Sequence, residues 1–377
     1  MILFLSAAGD DAGLLAELGR GEPAWLGRVE RPGLVALDLP PAAEVLPALA
    51  LARQTFLNAE RVAAPSVNSW ARAIVERLLS QLSDDQPWRL HVLPHYGVYR
   101  PERMGARAWH SVKRRGDLKR EEMVVPEGQA ASGAGDNRCQ WVAAAVRDLL
   151  KERRRHLLKS LRDESSLFTA NDSLVQVLLT SPEQGWLSVA LAPRPQVWRQ
   201  LVSPFRAGEL AVAVDKAAPS RAFAKLVEAE QRLGRRIEAG ECCVDLGAAP
   251  GGWSYVALER GARVTAVDRS PLREDLLRHP RLTFVRGDAF TYRPERPVDW
   301  LICDVIADPE RTLEMLLDWL RRGAMRWFVV TLKLKGAGDY PKLDRLKREL
   351  PGLAEDWFLT HLCANKGEVC VFGRRRG

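Results

Sequence analysis

The chain of 377 residues is 46% hydrophobic and 28% charged. Such a composition excludes a disordered or collagen-like chain, and the length calls for two or three domains. Lysine and arginine (56) outnumber aspartate and glutamate (48), leaving a net charge of +8, which favours a polyanionic partner. Six cysteines include no C-x-x-C pair, which argues for reduced thiols and against structural zinc or a disulfide framework.

The opening run ILFLS, residues 2–6, reads as a strand and not as a secretory leader. No basic segment precedes it, and Asp10 and Asp11 follow closely. Residues 12–18 read as a helix, 33–38 as a strand, 42–51 as a helix and 54–62 as a strand. This alternation predicts a small ferredoxin-like α+β unit over residues 1–65. A second domain is expected over 66–195, opening with an amphipathic helix (69–82) and a strand (88–93). A polar, glycine-punctuated stretch near 99–137 reads as an insertion. The basic helix predicted over 139–162 has Trp141, Val142, Val146, Leu149 and Leu150 as its inward stripe, with Arg153, Arg154, Arg155 and Lys159 beyond. Alternating strands follow at 173–180 and 185–192, then a proline-punctuated linker, 196–217. No apolar run approaches the length of a membrane span, so a soluble, cytoplasmic protein is expected.

From residue 218 the pattern becomes that of a parallel sheet with interleaved helices. Strands are expected at 242–246, 263–267, 282–286, 300–304, 326–332, 357–362 and 368–372, a Rossmann-like α/β fold. The richest segment is CVDLGAAPGGWSYVALERGARVTAVD, Cys243 to Asp268. It gives a strand, a small-residue turn, a helix and a second strand ending in an acid, half of a nucleotide-binding βαβ unit. Its turn, Gly247, Ala248, Ala249, Pro250, Gly251, Gly252 and Trp253, departs from G-x-G-x-x-G. Pro250 has no N–H for a phosphate, and Asp245 would repel one. An acid-flanked turn suits a zwitterionic sulfonium ligand better, so the predicted cofactor is S-adenosylmethionine.

Ligand and catalytic groups collect at the carboxyl ends of the strands in such sheets. Asp245, Asp268, Asp288 and Asp304 all end or directly follow apolar runs, which marks them as a binding rim. Asp268 is expected at the ribose, Asp288 at the adenine amino group, and Asp304 facing the methyl group. The N/D-P-P-Y/F motif of exocyclic-amine methylation is absent. Cys303 precedes Asp304, but its side chain should point to the opposite face of the strand, so it reads as a small core residue. Lys333, just past an apolar strand, and Lys225, on the helix leading into the first strand, are placed for proton transfer. A strand-end lysine desolvated beside a second ammonium is expected to have a lowered pKa. Glu368 starts the last strand, where it orients an ammonium or caps an edge.

Lys225, Asp304, Lys333 and Glu368, in that order around D-L-G-A-A-P-G-G-W, resemble the K-D-K-E tetrad of the FtsJ-like ribose 2′-O-methyltransferases. The resemblance spans 218–377. SPFRAGE, APSRAFAKL, TLKL and the long N-terminal extension make the chain most similar to the bacterial large-subunit (23S) rRNA cytidine 2′-O-methyltransferases. It implies an S-adenosylmethionine pocket lined by Ser220, Ala249 to Trp253, Asp268 and Asp288. It also implies Lys333 as general base, Lys225 and Asp304 fixing the hydroxyl, and Glu368 tuning the lysines. Lys335, two residues on, is the position most easily confused with Lys333. The extension would hold a ferredoxin-like unit and a THUMP RNA-binding domain. The implied partner is large-subunit rRNA or its precursor particle, taken by a monomer, with no DNA, membrane or metal. Phosphate contacts are expected from Lys113, Arg114, Arg115, Lys119 and Arg120, from Arg153 to Arg155, and from Arg374 to Arg376. The competing reading is a non-catalytic RNA-binding or ribosome-assembly factor that keeps the fold.

Overall fold

A computed structural model describes residues 1–21, 24–38, 48–83, 85–96, 134–163, 169, 171–193, 200–210 and 212–377. The chain divides into two compact units. The first comprises Met1–Gly19, Trp25–Leu46 and Ala52–Glu209, and the second Arg20–Ala24, Pro47–Leu51 and Leu210–Gly377. Among the described residues no helix is long and apolar enough to cross a membrane.

The first unit opens with β1 (Ile2–Ser6), α1 (Asp11–Gly19), β2 (Gly27–Arg31), β3 (Leu34–Leu37) and β4 (Ala52–Phe56). They form an antiparallel sheet in the order β2-β3-β1-β4. β2 is absent from the sequence reading, because GRVER is polar and only partly buried, as an edge strand is. The helix expected over 42–51 lies outside the described residues up to 47, and Ala48 to Leu51 are buried but not helical. The strand expected over 54–62 is two strands. β4 ends at Phe56, Asn58 turns the chain at φ 50°, and β5 (Glu60–Ala63) joins a different sheet.

That second sheet runs β5-β8-β7-β6, with β6 (Trp88–Pro94) parallel to β7 (Ser173–Leu179) and β8 (Gln184–Ala190) antiparallel to β7. α2 (Val67–Gln81) begins with a reciprocal cap between Ser66 and Ser69. It shares a core with α3 (Ala134–Arg153): Trp70, Ile74 and Leu78 meet Val142, Val146 and Leu150 over Val175 and Val177. Trp141 does not join this stripe and is 60% exposed. The buried set 142, 146 and 150 repeats every four residues, and position 141 falls one step off it. The expected basic helix breaks at Arg154 (φ −157°), so α4 (Arg155–Ser160) is separate. The polar stretch 99–137 lies outside the described residues as far as 133, and α3 begins within its last positions.

The opposite face of this sheet carries a buried polar row, His91, Gln176 and Ser188, in register across three strands. Gln176 donates to Thr55 O (2.9 Å) and Ser188 to Leu57 O (2.5 Å). Gln54 accepts from Ser203 N (2.8 Å) and donates to Ser203 O (2.9 Å). The described residues 200–209 of the expected linker are therefore packed into the first unit and are no free tether. Gln54→Ala removes the side chain that accepts from Ser203 N and donates to Ser203 O, at a cost of about 1–3 kcal/mol. The first unit should then melt several degrees lower in calorimetry.

The second unit begins with α5 (Phe223–Leu233), β9 (Cys242–Leu246), α6 (Gly252–Glu259), β10 (Arg263–Asp268), α7 (Glu274–Leu277) and β11 (Leu282–Arg286). It continues with β12 (Val298–Cys303), α8 (Pro309–Arg322), β13 (Met325–Lys333), α9 (Tyr340–Leu353), β14 (Ala354–Thr360) and β15 (Glu368–Arg375). The sheet order is β11-β10-β9-β12-β13-β15-β14. Every neighbouring pair from β11 to β13 is parallel, and β15 runs antiparallel to both its neighbours. This is the expected Rossmann-like fold. The apolar runs of β9, β12 and β13 are buried on both faces, as a sheet covered by helices requires. α8 shows its boundaries in sequence: Asp308 caps it, Pro309 opens it, and Gly323 closes it at φ 65°.

Candidate active site

Strand order reverses at β9: β10 and β11 extend to one side, and β12 returns to the other. In open α/β sheets a ligand crevice is expected at the carboxyl ends of the strands beside such a reversal. Gly247 follows β9 at φ 74°, and a Cβ on it would lie 2.8 Å from Val305 Cα. Only glycine satisfies both conditions. Gly252 opens α6, where a Cβ would meet Ser220 Oγ at 2.4 Å. Ser220 thus lies against the turn. Gly251 sits at φ 109°, and the Ala249–Pro250 peptide is cis. Trp253 is buried, its indole donating to Ala222 O (2.7 Å).

The four rim aspartates have different surroundings. Asp268 ends β10 and accepts from Ala249 N (3.0 Å) and Ser270 N (2.8 Å), so the turn and the acid are tied together. Asp288 follows β11, accepts from Phe290 N (2.8 Å), and pairs with Arg269 and Arg311. The Phe290 amide and the two guanidinium groups lower its pKa. Asp245 lies within β9 and is buried, accepting from Ser254 Oγ (2.7 Å). Burial pushes its carboxyl up to about 7, with the Asp304 and Asp268 charges adding to the effect. Ser254 was not singled out in the sequence, where it reads as an ordinary helix residue.

The raised value has a sign. Below about pH 3 Asp245 is neutral in folded and unfolded chains alike and costs nothing. As pH rises toward 7 the unfolded chain ionises first, so stability falls, by roughly 4 kcal/mol, and levels off above 7. Asp245→Asn should abolish this decline, raising the melting temperature of the second unit at pH 8 much more than at pH 4.5.

Asp304 sits one residue past β12, where four elements converge. Lys225 Nζ from α5 lies 3.1 Å from Asp304 Oδ2 and 2.5 Å from Glu368 Oε1. Lys333 Nζ, at the end of β13, lies 2.5 Å from Asp304 Oδ1 and 3.7 Å from Glu368 Oε1. Lys333 and Glu368 are register partners across β13 and β15, so their side chains emerge on one face. Two ammonium and two carboxylate groups thus form one largely buried, charge-balanced cluster. Burial opposes the Lys225 charge, but Asp304 and Glu368 outweigh it and raise its pKa. Burial likewise opposes the carboxylates, yet the lysines hold Asp304 and Glu368 below their usual values. The cluster's stabilisation is lost as pH falls below the ordinary carboxylate range or climbs past the ordinary lysine range.

Thr331 was not anticipated. Its hydroxyl donates to Asp304 Oδ1 (2.6 Å), and it lies two residues before Lys333, hence on the same face of β13. The T-x-K spacing in TLK carried that signal. Thr331→Val should leave the fold intact and, by removing one donor to Asp304, raise that carboxylate's pKa, which an NMR titration of its side chain would read. Lys335 stands apart from the cluster: it is exposed, with Nζ 3.9 Å from Asp308 Oδ2. Cys303 is fully buried and its thiol is pushed up to about 12 by burial, in keeping with a core role.

Of the expected phosphate contacts, Lys113, Arg114, Arg115, Lys119 and Arg120 lie outside the described residues. Arg153, Arg154 and Arg155 are exposed. Arg374 is engaged within the protein, paired with Glu355 (2.9 Å) and Asp356 (3.6 Å) and lying over Trp327. Among the described residues no cluster of His, Cys, Asp and Glu is placed to hold a metal ion.

Residues 218–334 match the family model described as FtsJ-like methyltransferase. Three curated proteins named ribosomal RNA large subunit methyltransferase M are similar to the chain. That of Thauera aminoaromatica is 33% identical over 229 residues, 57% of this chain and 61% of its own. That of Laribacter hongkongensis is 37% identical over 193 residues, 46% and 55%. That of Stutzerimonas stutzeri is 42% identical over 145 residues, 37% and 42%. The chain spans about half the length of the curated relatives it matches.

Proposed function

We propose that the protein is an S-adenosylmethionine-dependent RNA ribose 2′-O-methyltransferase acting on a cytidine of large-subunit rRNA or its precursor particle in the cytoplasm. The observation that carries this reading is the convergence of Lys225, Asp304, Lys333 and Glu368 beside the glycine turn. The residues present suit the cofactor. Gly247 leaves room at the switch point that a Cβ would fill, and Asp268 is held at the end of β10 by the turn's own amide. Ser220, Asp245, Gly247, Ala249, Pro250, Gly251, Gly252, Trp253, Asp268, Asp288 and Asp304 are the residues assigned to hold or support it. When bound it supplies a methyl group already activated by a sulfonium sulfur.

The chain's own residues then have separable tasks. Lys225 remains an ammonium, because two carboxylates hold its proton. It is therefore a donor that orients the 2′-hydroxyl and is not the base. Lys333 would serve as the base only after releasing its own proton to solvent; the neutral amine would then take the hydroxyl proton, as the O–C bond forms and the C–S bond breaks, and return to an ammonium. Asp304, fixed by Thr331 and both lysines, aligns the oxygen for in-line attack. Glu368 offsets the second positive charge. A degenerate binding factor has no need of the full tetrad, which counts against that alternative.

The first unit is assigned to RNA recognition. The strand order β2-β3-β1-β4, with α1 between β1 and β2, supports a ferredoxin-like unit, and two helices on one face of the second sheet support a THUMP-like domain. The protein is taken to act as a monomer.

Lys333→Ala should reduce methyl transfer by about a hundredfold or more while leaving S-adenosylmethionine affinity within a few-fold. The check is labelled methyl transfer to rRNA lacking the modification, followed by digestion to nucleosides. Label in 2′-O-methylcytidine is the expected result, and label on a base would overturn the ribose reading.

A further inference from the structure

Two exposed side chains, each two residues beyond a member of the tetrad, have no task in the reaction above. Ile306, two residues beyond Asp304, is 92% exposed, the most exposed large hydrophobic side chain among the described residues. Its backbone is nevertheless firmly held. On one side Asp304 is bound by Lys225, Lys333 and Thr331, and Val305 packs over Gly247. On the other, Asp308 caps α8 by accepting from Glu310 N (2.9 Å) and pairs with Lys342 (3.4 Å). A single exposed aliphatic side chain is ordinary on a protein surface; what sets this one apart is its place on a held loop, two residues from a tetrad carboxylate.

Lys335 approaches the end of the same loop, at Asp308. The residue lies two past Lys333, its backbone N–H is fixed to Asp339 Oδ2 (2.7 Å), and its side chain is 77% exposed. Its carboxylate neighbour, Asp308, is 3.9 Å away and already shared with Lys342. Exposed pairs of this length contribute little, so a phosphate displaces such a partner readily. An apolar tip and a weakly engaged ammonium are therefore carried on the two loops that leave Asp304 and Lys333. A nucleotide has the matching pattern, because its ribose 2′-oxygen lies between an apolar base face and a phosphate.

We propose that Ile306 and Lys335 seat the target nucleotide of the RNA, Ile306 against its base and ribose, Lys335 on the adjoining phosphate. This rests on the ribose-methylation reading. It assigns nucleotide positioning to the loops after β12 and β13, in addition to any RNA recognition by the first unit.

The test uses the full chain, a transcript of unmodified large-subunit rRNA, and the variants Ile306→Ala, Ile306→Met and Lys335→Gln. Calorimetric binding of S-adenosylmethionine serves as the check of folding. Ile306→Ala should raise KM for the transcript about tenfold, with kcat and cofactor affinity nearly unchanged, and Ile306→Met should restore most of the loss. Lys335→Gln should weaken transcript binding several-fold and reduce its log–log salt slope by about one, which Ile306→Ala should not do. Unchanged KM in both variants, with the wild type methylating normally, would overturn the inference and spare the reading. A loss of cofactor affinity in Ile306→Ala would overturn it too, by making Ile306 a cofactor contact. A wild type that binds the transcript but never methylates a ribose would instead overturn the reading.

Discussion

Two ammonium and two carboxylate groups buried together set the terms for the second unit. A lone buried ion costs several kcal/mol, and removing one member of a buried pair typically costs 3–5 kcal/mol. Lys225, Asp304, Lys333 and Glu368 therefore have to arrive together, from α5, the end of β12, the end of β13 and the start of β15. The sheet order makes this possible. β12, β13 and β15 are neighbours, and the parallel end of β13 meets the antiparallel start of β15.

The neighbouring crevice depends on closeness of backbone and not on charge. Gly247 lets the chain leave β9 within contact distance of Val305, which directly follows Asp304. The glycine turn and the tetrad are thus two consequences of one crossing, the point where strand order reverses. The same crossing explains why Asp268 and Asp304 flank the turn while Asp245, inside β9, is buried beneath polar contact with Ser254. Position along a strand separates a strand-end acid from a buried one, and sequence proximity does not.

Much of the second unit was legible because its signals are local. Apolar runs bounded by glycine and aspartate mark strands, and the turn after β9 is nearly all small residues. The tetrad was legible through resemblance, since nothing in the spacing of Lys225 and Glu368 says that they meet. Thr331 was missed because threonine in a strand is unremarkable until the opposite carboxylate is known. The first unit was harder. β2 is polar, the stretch 54–62 hides a change of sheet at Asn58, and Trp141 is apolar yet faces water. Each error came from reading hydrophobicity as burial where an edge, a turn or a surface decided otherwise. The expected linker was misjudged for the converse reason: proline-rich sequence disguised the packing of Leu201, Val202 and Ala207.

β14 precedes β15 in the chain, yet it touches the sheet only through β15. During synthesis β14 emerges with no place to pair, and it gains one only when the next strand slots against β13. The strand that admits it also brings Glu368, the group that completes the charge balance. Closure of the sheet and assembly of the tetrad are consequently a single event, and a chain halted before that strand would lack both.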